Sequence, residues 1–216
     1  WCNWCSCFSP QGLILFFSYL IHISCQRDLI SQSSILITAM SDLEPIDNPE
    51  SWFSAGERER DAGNLRQAQL CFERAVVLDP HNAVYWSELG LVMHENNDET
   101  GDPLRCIRRA LELDPRCAAI WCAKGVVLFR QGDPQAAVVA FQPATKLNLR
   151  EADYWMNLGL AYAALEEYNN ALQAFEIGIE LVPTDAGFWE RKGTVLRELG
   201  EKERSEICLA NARRFS

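Results

Sequence analysis

The chain has 216 residues, of which 48% are hydrophobic and 23% are charged, a composition that allows one ordinary domain or two small ones to bury a core. Its 30 acidic residues outnumber the 20 lysines and arginines and give a formal net charge of -10. This charge argues against nucleic-acid binding, because long-range repulsion would oppose contact with a phosphate backbone. The nine cysteines are odd in number and irregularly spaced, which argues against a disulfide-stapled secreted fold and predicts a reducing, cytoplasmic location.

Residues 1–39 differ in composition from the rest of the chain. Residues 1–26 contain no Asp, Glu, Lys or Arg, whereas the first methionine, Met40, is followed by the acidic run Ser41–Glu44. We therefore expect an apolar leader at 1–39, which is either disordered or absent because translation begins at Met40. A short acidic N-terminal segment then covers 40–48, and the folded domain covers 49–216.

Three functional interpretations of the leader fail on specific requirements. A secretory signal needs basic residues before its apolar core, and none precedes it here. The apolar run Gly12–Ile23 is too short for a membrane span, so we predict no membrane anchor. A zinc-like pattern is also present, but its spacer residues are nearly all apolar and offer no polar groups to orient metal ligands. Its members are Cys2, Cys5, His22 and Cys25.

A tryptophan recurs through the domain at intervals of 34, 35, 34 and 34 residues, and a glycine follows each tryptophan four positions later. In three units an Ala, a Phe and then an Ala or Gly follow at fixed distances, as in Ala137, Phe141 and Ala144. A fixed period of this length is typical of repeat architectures. The signature pairs are Trp52 and Gly56, Trp86 and Gly90, Trp121 and Gly125, Trp155 and Gly159, and Trp189 and Gly193.

Within each unit the apolar residues twice follow a helical spacing, which predicts two short amphipathic helices per unit. Gly63, Gly132 and Gly200 stand where the first helix must end, and they suit a left-handed C-terminal cap. Asp102–Pro103 and Asp133–Pro134 combine an N-cap residue with a proline in the first turn, and they predict where a second helix begins.

Two units depart from this pattern. In the second unit Asp102 falls late, so we expect a second helix about three residues shorter, with Ile107 and Ala110 still facing the core. In the third unit Pro143 lies inside the second helix. Because proline cannot donate to the Val139 carbonyl, we expect a kink or an early break there.

The order Trp, Gly, Ala, Phe and Pro at a period near 34 resembles the tetratricopeptide repeat. The resemblance covers residues 49–216. It implies an all-α fold, an α-solenoid in which antiparallel helix hairpins stack into a superhelix with a concave and a convex side. The five implied repeats are 49–82, 83–117, 118–151, 152–185 and 186–216.

The repeats carry no residue pattern that indicates catalysis. A glycine-rich phosphate loop, a nucleophile elbow and a zinc-protease motif are all missing from the sequence, and the repeats contain only two histidines, His81 and His94. Their cysteines are too scattered to form a ligand set. We therefore predict a protein that is not an enzyme and has no cofactor, catalytic residues or metal site.

The resemblance implies that a partner binds on the concave surface, which is formed mainly by the first helix of each repeat. The middle of this surface is apolar, and charged residues such as Glu57, Arg60 and Arg197 lie at its two ends. The residues carried over are Ser87, Leu91, His94, Cys122, Val126, Phe129, Met156, Asn157, Leu160 and Arg191.

Family members that bind chaperone tails hold a C-terminal carboxylate with Lys, Arg and Asn side chains on three consecutive repeats. The corresponding residues here carry no positive charge, which disfavours such a clamp. They are Phe53, Glu57, Glu88, Ala119 and Ala123.

We therefore expect an interaction module or adaptor that binds an apolar or amphipathic peptide or helix in the concave groove. Two alternatives stay open. The first is a self-associating structural scaffold, which would be a homo-oligomer. The second is a regulatory or targeting subunit of an enzyme encoded elsewhere.

Overall fold

The computed structural model describes residues 48–96 and 101–216, and these residues form ten α-helices and no strand. The predicted leader at 1–39 and most of the acidic segment lie outside the described residues, so their boundaries stay predictions. In chain order the helices are α1 Pro49–Asp61, α2 Leu65–Leu78, α3 Ala83–Glu95, α4 Pro103–Leu113, α5 Ala118–Arg130, α6 Pro134–Leu147, α7 Ala152–Ala164, α8 Tyr168–Leu181, α9 Ala186–Glu198 and α10 Lys202–Phe215.

The helices pair as five hairpins, α1 with α2 through to α9 with α10, and each second helix also packs on the first helix of the next hairpin. Every hairpin thus contacts its neighbours in the chain, which is the arrangement of a solenoid. The predicted all-α solenoid of helix hairpins is confirmed.

The caps at the helix ends agree with the sequence prediction at the positions it covered. Gly63, Gly132 and Gly200 have φ of 79°, 84° and 79°, a left-handed conformation that ends α1, α5 and α9 at little steric cost. The fourth hairpin places Glu166 at φ 60° in the equivalent turn. No glycine marks that turn in the sequence, so the pattern could not predict it.

The starts of α4 and α6 are capped as expected. The Asp102 and Asp133 side chains accept hydrogen bonds from the backbone N–H of Arg105 and Ala136, at 3.1 and 2.9 Å. Each satisfies a donor that has no partner within the helix.

The shortened helix of the second unit is also confirmed. Helix α4 has 11 residues, whereas the other second helices have 14. Ile107 and Ala110 on α4 are both fully buried. Almost one complete turn is missing, which leaves the buried face in register.

Of the kink or early break predicted at Pro143, the early break is wrong, and the kink stays a prediction. Helix α6 continues through Pro143 to Leu147 and keeps the full 14 residues. Proline costs the helix the bond to the Val139 carbonyl, but Val139 is 63% exposed, so water can replace the missing donor. The Thr145 hydroxyl also donates to the Gln142 carbonyl at 3.0 Å, which adds a hydrogen bond in the same turn.

The signature glycines allow each second helix to approach the first. A Cβ atom built on Gly56 would lie 2.7 Å from the Phe72 ring, and one built on Gly125 or Gly159 would be closer still to Phe141 or Phe175. These contacts are shorter than van der Waals packing allows. Each of these phenylalanine rings therefore lies directly against the glycine of its own hairpin.

The signature tryptophans tie down the turns between repeats. In four repeats the indole N–H donates to the backbone carbonyl six residues earlier, at 2.9 to 3.0 Å. The third turn has Leu149 where the others have proline, yet its carbonyl accepts in the same way because the acceptor is backbone. For Trp52 the corresponding residue lies outside the described residues. The four pairs are Trp86 with Pro80, Trp121 with Pro115, Trp155 with Leu149, and Trp189 with Pro183.

We predict that Gly125→Ala destabilises the array, although alanine favours helices more than glycine does. The new methyl group would displace the buried Phe141 ring, and overpacking of this kind costs about 1–3 kcal/mol, against a gain of about 1 kcal/mol from helix propensity. Urea unfolding followed by circular dichroism measures the difference. Phe141→Leu should reduce the penalty of the alanine, so the double variant should show positive coupling. An unchanged free energy of unfolding in Gly125→Ala would contradict the contact.

We predict that Trp155→Phe loosens the turn before α7 while leaving the helices formed. The substitution removes the indole donor to the Leu149 carbonyl, which is worth about 1 kcal/mol and corresponds to about fivefold faster local exchange. Hydrogen exchange of residues 148–156 measures this effect. Tyr168→Phe, which removes one polar hydrogen from another half-buried aromatic side chain, is the matched control. Equal protection of the turn in both variants would show that the hydrogen bond is unimportant.

Candidate binding groove

The first helices of consecutive repeats form one layer. Helix α3 contacts α5, α5 contacts α7, and α7 contacts α9. Among the described residues no two second helices make a comparable contact. Because helices on the inner side of a curved stack lie closer together, the first helices line the concave side of the array.

All ten predicted groove residues lie on four helices of this layer, α3, α5, α7 and α9. Ser87 and Cys122 are 5% and 9% exposed, so they offer little surface to a partner, whereas Arg191 is exposed. The other seven are half-buried and have both a packed and an accessible side. They are Leu91, His94, Val126, Phe129, Met156, Asn157 and Leu160.

The apolar members of this group rest directly on the core. Leu91 packs on the buried cluster around Ile107, Val126 and Phe129 on the cluster around Phe141, and Met156 and Leu160 on the cluster around Phe175. Their side chains are therefore held in place before any partner binds. A preformed surface of this kind loses little side-chain entropy on binding.

Two ion pairs connect first helices across the repeat boundaries. The Arg60 guanidinium of α1 pairs with the Glu88 carboxylate of α3, and Arg130 of α5 lies 3.9 Å from Glu95 of α3. Burial opposes the charge of Arg60, but attraction by Glu88, Glu95 and Asp61 outweighs it and raises the pKa of Arg60. Both arginines are thereby occupied by carboxylates of the protein itself.

The sequence prediction missed these pairs, although the repeat register contains the signal for one of them. Arg60 stands eight residues after its tryptophan and Glu88 two residues after the next one. Arg130 and Glu95 both stand nine residues after their tryptophans. Aligning the first helices side by side on the tryptophans would have indicated the contact between Arg130 and Glu95. It would not have indicated the pair of Arg60 and Glu88, whose positions differ by six residues in that alignment.

His94 lies in the last turn of α3, next to these charges. Burial lowers the pKa of His94, and Arg130 lowers it further, while Glu95 opposes the shift. The imidazole is therefore neutral at pH 7, with one nitrogen that donates and one that accepts hydrogen bonds. These hydrogen-bonding properties suit a residue that contacts a partner.

Cys122 is a packing residue in the floor of the groove. Asn157 of the next repeat donates from Nδ2 to Cys122 Sγ at 3.5 Å. Burial nevertheless raises the pKa of the Cys122 thiol to about 11, so the thiolate that a nucleophile or metal ligand requires is not formed at neutral pH.

The described residues contain neither a candidate metal site nor a candidate membrane-spanning helix. No group of three or more His, Cys, Asp or Glu side chains in them could hold a metal ion. In the same residues no helix has the length and apolar character that a membrane crossing requires. The leader cysteines and His22 lie outside the described residues.

Comparison with known proteins supports the fold. A family model described as tetratricopeptide repeat matches residues 53–102, 104–142 and 122–186. No curated protein matches the chain.

Solved structures of low sequence identity have the same architecture. The structure of MamA protein matches with a TM-score of 0.64 at 23% identity, covering 77% of this chain and 91% of that one. The Pseudomonas aeruginosa pilF structure matches with a TM-score of 0.71 at 19% identity, covering 78% and 76%. YrrB, described as a TPR protein with an unusual peptide-binding site, matches with a TM-score of 0.62 at 18% identity, covering 83% and 91%. At these identities the likeness shows the fold alone. Since the family model also matches more than half of the chain, the chain belongs to the tetratricopeptide repeat family, whose fold serves protein–protein interaction.

Proposed function

We propose that the protein is an adaptor that binds an apolar or amphipathic peptide or helix in its concave groove. One observation carries the proposal: three consecutive first helices present half-buried apolar side chains on the same side of the array. Apolar surface that is contiguous on one face of a soluble domain marks an interaction site more often than scattered apolar residues do. The side chains are Leu91, Val126, Phe129, Met156 and Leu160.

The spacing of the helices indicates the size of the bound segment. Neighbouring packed helices lie about 8–10 Å apart, so the apolar strip across α3, α5 and α7 is roughly 20 Å long. An α-helix rises 1.5 Å per residue, and roughly 13 residues would cover the strip. A partner helix of three to four turns with one apolar face fits this length.

Catalysis and location stay at the level of sequence prediction. Tetratricopeptide repeat proteins are in general interaction modules, which agrees with the prediction that the chain is not an enzyme. The cytoplasmic location is likewise a prediction from composition.

We predict that Met156→Lys/Leu160→Lys abolishes partner binding. The two lysines would place charge on the apolar floor, where a bound segment would have to desolvate them. The measurement is quantitative affinity capture from native cell extract with the full chain, followed by cross-linking to locate the bound segment. This variant and its control, described next, must first show the helical circular dichroism of the parent.

Asn169→Lys/Gln173→Lys is the matched control, because it adds the same charges at the same spacing to exposed positions on α8. A partner retained by the parent and the control but lost by the groove variant is the expected result. Retention of the same partner by the groove variant would overturn the groove assignment. Capture of the chain alone would favour the self-associating scaffold.

A further inference from the structure

We infer that the segment bound in the groove is basic at one end and that this end lies over the first repeat. The inference rests on the proposed groove function and specifies the chemistry of the partner. Its basis is the distribution of charge along the layer of first helices, which is different at the two ends of the apolar strip.

The column of residues five positions after the tryptophan shows where the apolar strip ends. It contains Leu91, Val126 and Leu160 in repeats two to four, but Glu57 in the first repeat and Thr194 in the fifth. A partner that extends past the apolar strip therefore meets a carboxylate at one end and a neutral hydroxyl at the other.

The positions on either side of this column strengthen the difference at the first repeat. Arg60 is the nearby cation, but Glu88 pairs with it. Asp61 stands nine residues after its tryptophan, the position at which Glu95 and Arg130 meet each other in the next two repeats. Among the described residues neither Glu57 nor Asp61 has an ion-pair partner. Arg60 pairs with Glu88 and is also attracted by Asp61, so it does not offset Glu57 as well, and this end of the layer keeps an excess of negative charge.

The fifth repeat is balanced at the corresponding positions. Glu190 and Glu198 stand there beside Arg191 and Arg197, and Lys192 pairs with Glu176 of α8, so acidic residues are not in excess at this end. The acidic end thus distinguishes the two directions in which an amphipathic helix could lie in the groove. Opposite charges placed across an interface determine register and orientation more than affinity.

The same charges argue against three other occupants of the groove: a second copy of this chain, an anionic membrane and an acidic peptide. A second copy of this chain would bring its own net charge of -10 towards an acidic surface, and an anionic membrane would also be repelled. An acidic peptide would find Arg60 and Arg130 already paired with Glu88 and Glu95. A segment with apolar residues followed by lysines or arginines is the occupant that complements the groove.

Three synthetic helical peptides test this inference against the full 216-residue chain. All three share one Leu/Ala face, and they end in three lysines, three glutamates or three glutamines. Fluorescence anisotropy measures each dissociation constant at low and high salt. We expect the lysine peptide to bind about tenfold more tightly than the glutamate peptide at low salt, and we expect the difference to shrink at high salt.

Glu57→Gln/Asp61→Asn should remove most of this preference while leaving the glutamine peptide unaffected. Glu203→Gln/Glu206→Gln makes the same change in charge at exposed positions on α10 and should leave the preference intact. If both variants lose the preference for the lysine peptide equally, the net charge of the chain, and not the first repeat, attracts the basic end. That result would overturn the inference.

Orientation is a second readout. A spin label at the lysine end of the peptide should broaden the amide NMR signals of α1 and spare those of α9. Broadening of α9 in place of α1 would overturn the inference, and so would equal broadening of both.

Leu160→Lys separates this inference from the proposed function. The variant should weaken all three peptides if the groove binds them. If Leu160→Lys weakens all three peptides, but the parent binds the lysine peptide no more tightly than the glutamate peptide, only the charge inference fails. If it weakens none of them, or if no peptide binds at millimolar concentration, the groove function fails as well. Self-association that Leu160→Lys abolishes would identify a second copy as the occupant and overturn the inference.

Discussion

The rest of the array depends on a close contact that recurs in the first four hairpins, between the signature glycine and a buried side chain of the second helix. At Gly56, Gly125 and Gly159 the ring of a fully buried phenylalanine occupies the space in which any other residue would place its Cβ atom. The contact brings the two helices of a hairpin together. Gly90 makes the same contact with Ile107, 2.7 Å from the position of its absent Cβ, so the shortened α4 still closes its hairpin.

Stacking of the closed hairpins produces the candidate groove as a consequence. The first helices contact one another along the inner side, so their side chains there are packed on one flank and accessible on the other. Met156 shows the double role, because it packs on the cluster around Phe175 and also reaches the surface. Stability and binding therefore depend on the same side chains, so a substitution in the groove reports on binding only when the variant is shown to be folded.

The repeat period predicted most of the fold, because each hairpin packs in the same way and the same residues therefore recur at the same places. It predicted the glycine caps at Gly63 and Gly132 and the short α4. It did not predict the left-handed Glu166, an exposed residue in a hairpin turn that is closed by the hydrogen bond from the Glu167 N–H to the Tyr162 carbonyl. It also left open whether α6 would end at Pro143. The groove side chains could be located from the same register. Their burial could not, since exposure of Ser87 or Cys122 depends on the neighbouring repeats and not on the unit itself.

The two ion pairs between first helices connect the architecture of the array with the selectivity of its groove. Arg60 and Arg130 each bridge to a glutamate on α3, and such part-exposed pairs contribute modestly to stability, about 0.2–1 kcal/mol each. Their larger effect is on charge. Because Arg60 is already engaged by Glu88, it does not offset Glu57, and the first-repeat end of the groove keeps an excess of negative charge. An arginine that already pairs with a glutamate of the neighbouring repeat attracts an acidic ligand less strongly, so the interactions between neighbouring repeats also disfavour one class of partner.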